Sequence, residues 1–191
     1  MPTTHNPEEA VWIARALDGD DMAFANLVGA YQNPVFNLCF RILGETEAAE
    51  DAAQETFLKA HRNLRRFDQR RKFINWILTI ASNHCVDMLR RRRLPTLPLD
   101  SLTSRGDQNR LPEAGVIESE TADRLQALIQ ELEPIDRAAI VLHYWYDVPL
   151  DEIGRDLKLS RSAVKSRMFR ARRALAEGWS DGDTAVHLGA A

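Results

Sequence analysis

The sequence predicts an all-α protein made of two small helical domains joined by a flexible linker. Apolar residues recur at the three-to-four-residue spacing of amphipathic helices along most of the chain, and no segment shows a β-strand pattern. One stretch, Leu94 to about Ser119, loses that period and gathers Pro95, Pro98, Pro112, Gly106 and Gly115, as a linker does. A third stretch, LDEIGRDLKLSRSAVKSRMFRARRAL from Leu150 to Leu175, reads as two helices around a tight turn. Domain bounds of 5–93, 94–119 and 120–177 follow, with a tail over 178–191.

The first helix starts at Asn6-Pro7-Glu8-Glu9, an N-cap followed by proline and two acids at the positive end of the dipole. It should stop at Asp18-Gly19-Asp20. Asp20 or Asp21 caps a longer second helix bearing Phe24, Leu27, Val28, Tyr31, Val35, Leu38, Cys39 and Ile42. Pro34 is expected to kink or divide it, and Gly44 to close it. A third helix, from about Thr46 to Leu64, turns Ala49, Ala53, Phe57, Ala60 and Leu64 inward and Asp51, Gln54, Glu55 and Leu58 outward.

Arg65 to Lys72, RRFDQRRK, lacks periodicity and reads as a loop. Phe73, Trp76, Ile77, Ile80, Ala81 and Leu89 then mark a fourth helix ending in Arg90–Arg93. Beyond the linker, Leu125, Leu128, Ile129 and Leu132 form one helix. Ile135, Ala139, Leu142, Trp145 and Tyr146 form another, stopped by Asp147-Val148-Pro149. In the 150–175 stretch, Leu150, Ile153 and Leu157 line the first helix. Ser160 caps the second, whose inner side carries Val164, Met168, Ala171 and Leu175. From Gly178 onward the chain is small and polar and is expected to fray.

Charge is unevenly placed. The net charge is −3, yet Arg62–Arg93 carries ten Lys or Arg against two Asp, and Lys158–Arg173 carries seven basic residues and no acid. Two basic islands in an acidic body point to two polyanion contacts, with acidic surface left for another partner. Cys39 and Cys85 stand apart in sequence and fit buried thiols rather than a disulfide or metal motif. The five His are scattered without metal-ligand spacing, and no Ser/His/Asp arrangement is legible, so neither enzyme nor cofactor is expected. No apolar run approaches a membrane span and the N-terminus lacks a signal-peptide pattern, which places the protein in the cytoplasm.

A short helix, a turn and a basic second helix is the arrangement that sets side chains in a DNA major groove. Residues 23–93, and within them AED--QE-F-KA and KF--W---IA-N---D-LRR, resemble conserved region 2 of bacterial RNA polymerase sigma factors. EI---L--S---VKSR--RAR--L resembles region 4, and the whole is similar to the extracytoplasmic-function (ECF) group. The resemblance implies a subunit that binds core polymerase, through the β′ clamp helices and the β flap. It implies reading of the −35 element as duplex and capture and melting of the −10 element, with an anti-sigma factor as a further partner.

Carried over residue by residue, the resemblance gives Asp51, Gln54, Glu55 and Leu58 to polymerase docking. It gives Arg65, Arg66, Phe67, Arg70, Arg71, Lys72, Asn83, Arg90 and Arg91 to the −10 element. Phe67, on the loop, is the aromatic expected to stack on a base, whereas Phe73 and Trp76 sit at core spacing. Arg161, Ser162, Lys165, Ser166, Arg167, Arg170 and Arg173 go to the −35 element, Arg172 and Arg173 as phosphate contacts. Gly154 and Lys158 depart from the alanine and glycine usual at their positions, each at about 1 kcal/mol. The competing reading is a stand-alone helix-turn-helix regulator.

Overall fold

The computed structural model describes residues 7–93 and 116–188, with side chains placed for 8–93 and 120–180. The expected N-cap Asn6 and most of the Leu94–Ser119 linker lie outside the described residues. Eight α-helices are present among those described: α1 (Pro7–Leu17), α2 (Asp21–Leu43), α3 (Thr46–Asn63), α4 (Phe73–Arg93), α5 (Val116–Glu131), α6 (Pro134–Tyr146), α7 (Leu150–Asp156) and α8 (Arg161–Leu188). One turn of 3-10 helix, Leu64–Arg66, follows α3.

Helix α2 is the axis of the first domain and packs on α1, α3 and α4. Its Leu27, Val35, Leu38 and Ile42 are wholly buried against Ile77, Leu78 and Ala81 of α4. The α3 face against it is built from Ala48, Ala49, Ala52, Ala53 and Ala60, and such small side chains let helix axes approach closely. In the second domain α6 is central, with Ile140, Val141 and Leu142 packed among Ile129, Ile153, Val164 and Met168.

Local signals set these bounds. The Asp20 carboxylate accepts the Ala23 N–H at 3.1 Å, and that bond, with Arg15, holds the Asp20 carboxyl below its usual range. Pro34 does not divide α2: the helix runs unbroken for 23 residues, because one face is anchored in the core by Phe24 and Leu27 before the proline and by Val35, Leu38 and Ile42 after it. The missing proline N–H removes one rung only. The two cysteines meet across α2 and α4, where a hydrogen bond to Cys85 and burial push the Cys39 thiol well up. It stays a protonated thiol rather than a nucleophile.

Sequence reading placed the end of helical structure near Gly178, and the structure differs. Helix α8 continues to Leu188. Gly178 lies so close to α5 that an added Cβ would sit 2.5 Å from Leu128 Cδ2, and the Arg124 guanidinium stacks 4.3 Å over the Trp179 ring. Docking on α5, which composition alone does not reveal, keeps this segment helical.

The two domains pack on each other along α2 and α4. The last carbonyls of a helix have no intrahelical partner. Those of α2 are met by the second domain: Gln126 Nε2 donates to Phe40 O and Arg41 O, Gln130 Nε2 donates to Arg41 O at 2.8 Å, and Arg137 Nη1 donates to Ile42 O at 2.6 Å. Tyr146 Oη donates to Pro34 O at 2.8 Å, and Arg41 lies 4.6 Å over the Trp145 ring. Gly44 ends α2 at φ +81, and a Cβ there would meet Gln130 Cδ at 2.9 Å. Gly44→Ala therefore combines a left-handed backbone penalty with displacement of Gln130. A loss of about 1–2 kcal/mol is expected in thermal or denaturant unfolding.

Candidate nucleic-acid and polymerase interfaces

The helix-turn-helix is built by α7 and α8. Lys158 takes the left-handed turn at φ +56, and Ser160 Oγ accepts the Ala163 N–H at 3.2 Å, capping α8. Gly154 is not a flaw in this packing. A Cβ there would lie 3.1 Å from Leu159 O and 3.2 Å from Val164 Cγ2, so glycine lets the turn close tightly on α7.

Val164, Met168 and Ala171 are buried, which turns Arg161, Ser162, Lys165, Ser166, Arg170 and Arg173 outward on successive turns of α8. Arg161 pairs with Asp151 at 3.1 Å and Arg173 with Glu177 at 2.6 Å, both in exposed settings where such pairs exchange readily. Arg167 stands apart from the others. Its guanidinium is half-buried and binds the largely buried Asp136 carboxylate at 2.6 Å, tying α8 to α6. Phe169, 62% exposed within this basic face, was not singled out in the sequence; its place outside the Val164, Met168 and Ala171 inner spacing was the available signal.

The residues expected at the −10 element fall into three groups. Arg65, Arg66, Lys72, Arg90 and Arg91 are exposed, as is Arg70, which holds Asp68 in a paired loop turn at 3.0 Å and lowers its pKa to about 2. Phe67 is not on the loop surface. It is 8% exposed, packed edge-on to Phe73 at 5.3 Å and against Trp76 at 5.2 Å, because Leu64–Arg66 forms a 3-10 turn that folds the ring inward. A base therefore does not reach Phe67 in this conformation. Trp76, expected in the core, is only partly buried.

Trp76 instead lines an open cavity of about 380 Å³ between α3 and α4, together with Lys59, Asn63, Arg66, Asn83 and His84. Lys59 Nζ lies 2.7 Å from His84 Nδ1, and burial followed by the Lys59 charge pulls the His84 pKa down, so the ring is neutral and accepts from the ammonium.

Arg71 and Asn83 form the third group, since both are engaged by α7. Arg71 binds the Asp156 carboxylate at 2.8 and 3.2 Å and Glu152 at 3.2 Å, while Asn83 Nδ2 donates to Asp156 O at 3.1 Å. Hydrogen bonding to Asp156 raises the already high Arg71 pKa. Two residues not anticipated, Asn75 and Thr79, join them. Asn75 Nδ2 donates to Glu152 at 3.1 Å, and Thr79 Oγ1 lies 2.6 Å from Asp156 Oδ2. The spacing 75, 79, 83 was the available signal, a polar stripe at one-turn intervals along α4.

On α3, Asp51 and Gln54 are exposed, Glu55 is partly so, and Leu58 is 51% exposed. An uncovered leucine among acids and amides is the composition of a docking face for a basic partner.

The family models match in the same order. Sigma-70 region 2 covers residues 27–94 and Sigma-70, region 4 covers 122–175. The ECF RNA polymerase sigma factor SigW of Bacillus subtilis is 35% identical over 173 residues, spanning 85% of this chain and 92% of SigW. The chain is an ECF sigma factor of the sigma-70 family. CnrH, solved in complex with the cytosolic domain of CnrY, superposes with a TM-score of 0.64 at 26% identity, over 92% of this chain and 98% of CnrH. The RpoE of Bartonella quintana, solved with the anti-sigma factor NepR, shares the fold with a TM-score of 0.61 at 18% identity, over 82% of this chain and 96% of its own.

This sigma factor binds core RNA polymerase and directs promoter-specific initiation, and the stand-alone regulator is not favoured. Its region 2 occupies α2 to α4 and its region 4 occupies α5 to α8. Among the described residues no helix is long and apolar enough to cross a membrane, and no group of His, Cys, Asp or Glu is arranged to hold a metal ion.

Proposed function

We propose that the sigma factor divides its work among three surfaces. The exposed face of α8 reads the −35 element in the major groove through Arg161, Ser162, Lys165, Ser166 and Arg170. Arg173, with Arg172, holds phosphate, and Phe169 offers apolar contact to a thymine methyl. Arg167 orients α8 through Asp136 rather than reaching a base. The loop 65–72 and α4 capture the −10 element, with Arg65, Arg66, Arg70, Arg71 and Lys72 along the single-strand backbone and Arg90 and Arg91 on duplex phosphate. The cytoplasm is the compartment, no catalytic step is its own, and an anti-sigma factor is a partner, in keeping with CnrH holding the cytosolic domain of CnrY.

The observation that carries this reading is the cavity beside the loop. Melting requires a base to leave the stack, at a few kcal/mol, which a stacking surface and polar groups offset. Trp76 supplies the surface, Asn83 and Asn63 the polar edge, and Lys59 the cation. On a promoter opened by the sigma factor with core polymerase, permanganate should modify −10 thymines. Trp76→Leu should reduce that modification about tenfold while footprints at −35 persist. Undiminished modification in a folded Trp76→Leu protein contradicts the pocket.

The third surface is the α3 face with Asp51, Gln54, Glu55 and Leu58. Its central leucine is the apolar anchor, so Leu58→Arg should weaken core polymerase binding by about 2–3 kcal/mol, roughly 30- to 150-fold. Because Leu58 is half exposed, the melting temperature should hold; co-migration with polymerase at wild-type affinity would exclude this face.

A further inference from the structure

One lysine in the cavity wall is held by a partner that leaves its charge intact. Lys59 Nζ lies 2.7 Å from His84 Nδ1, so one ammonium proton is engaged and two remain for a ligand. Glu55 Oε1 stands 3.9 Å away, beyond hydrogen-bond reach, and the two side chains are 37% and 38% exposed, so the carboxylate screens the ammonium only weakly. Asp87, the acid that lines the cavity, lies 4.0 Å from Arg90.

A carboxylate in the place of His84 would fix Lys59 and cancel its charge. A neutral imidazole fixes the side chain and cancels nothing. Lysine is flexible and strongly hydrated, so restraining it beforehand removes part of the ordering cost that binding would otherwise carry. The surroundings favour the neutral ring. Burial opposes protonation first, then Lys59 on α3 and Arg91 on α4, against Glu55 on α3 and Asp87 on α4. Arg66, from the 3-10 turn, adds another cation to the cavity wall.

We propose that His84 is a positioning residue for promoter opening: it accepts from Lys59 and holds the ammonium at the cavity, where Lys59 binds a phosphate oxygen beside the extruded −10 base. The proposal deepens the pocket described under the preceding heading and rests on it. Trp76 takes the face of the base, while the lysine, a compact point charge, takes the backbone that turns out with the base. His84 acts through Lys59 and touches no DNA.

The test uses the full chain with saturating core polymerase on a mapped promoter. Permanganate modification of −10 thymines is the readout, and the −35 footprint reports loading. Lys59→Met should lower modification about fivefold, and His84→Leu, which keeps bulk but lacks the acceptor, about threefold. His84→Asn, whose Oδ1 falls near the place of Nδ1, should recover most of that loss. Lys59→Met combined with His84→Leu should match Lys59→Met alone, because one residue acts through the other. Losses that add in full would mean that the imidazole works independently of Lys59, and would overturn the proposal. Wild-type modification by His84→Leu would do the same. Trp76→Leu, run alongside, reports on the cavity itself: a loss there with none at His84 sinks the positioning role and spares the pocket.

Salt and spectroscopy give two further readings. Lys59→Met should make the log-affinity against log-salt slope shallower by about 0.7, the share of one single-strand phosphate, and an unchanged slope would exclude the phosphate contact. Nitrogen-15 spectra of the unmodified full chain at neutral pH should show His84 with Nδ1 unprotonated and Nε2 carrying the proton. A protonated Nδ1 would overturn the assignment without recourse to any variant.

Discussion

Replacing Arg161, Lys165 and Arg170 together by alanine should abolish −35-dependent initiation while leaving the fold intact. All three are exposed on one face of α8, whose inner side is packed by Val164, Met168 and Ala171. Each base or phosphate contact is worth about 1–2 kcal/mol, so the triple change should cost about 3–6 kcal/mol, or roughly 10²- to 10⁴-fold in promoter affinity. Counterion release gives a second readout, because losing three phosphate-range cations should flatten the log-affinity against log-salt slope by up to about 3. Arg167→Ala should behave differently. It leaves the largely buried Asp136 unpaired, so its effect should appear first as lowered stability in thermal melting.

Arg137→Ala should produce the largest loss of stability among single changes at the domain seam. The residue is 4% exposed, and its guanidinium donates to Ile42 O, to the Gln130 side chain and carbonyl, and to Leu132 O at 3.1 Å. Burial, with Arg93 adding repulsion, pulls its pKa down to about 10, so at neutral pH it remains a charged donor among neutral acceptors. Alanine leaves those carbonyls dry and opens a cavity, at about 3 kcal/mol. For a chain of this size that corresponds to a fall of about 6–12 °C in Tm. Arg137→Lys should recover only part of it, since one ammonium cannot span acceptors on both α2 and α5. A variant that melts like wild type would show that the seam does not contribute to stability in solution.

Helices were legible because each carries its own instructions. Asp20, Gly44 and Ser160 act on their neighbours within four residues, and the buried stripes of α4 and α8 repeat at a local period. The exposed faces of α3 and α8 followed from the same periods by subtraction. What escaped depends on contacts between residues far apart in sequence. Nothing near Gln126 or Gln130 announces that their amides cap α2, some 85 positions earlier.

The aromatic roles were exchanged for a related reason. Phe67 sat in an aperiodic loop and read as exposed, but a 3-10 turn carries it under Phe73 and leaves Trp76 at the cavity. Arg167 belonged to a run of arginines whose individual partners the pattern does not distinguish, and only Asp136, on another helix, sets it apart. The segment after Gly178 looked loose because small residues were counted as fraying, whereas Gly178 is what allows α8 to press against Leu128.

Run-off transcription with core polymerase tests the central assignment most directly. On DNA whose −35 and −10 elements have been mapped from starts induced by this sigma factor, the wild-type protein should yield one discrete transcript. Scrambling either element alone should eliminate that transcript. Equal transcript from scrambled and intact templates, or none from either with a protein that binds polymerase, would contradict the account.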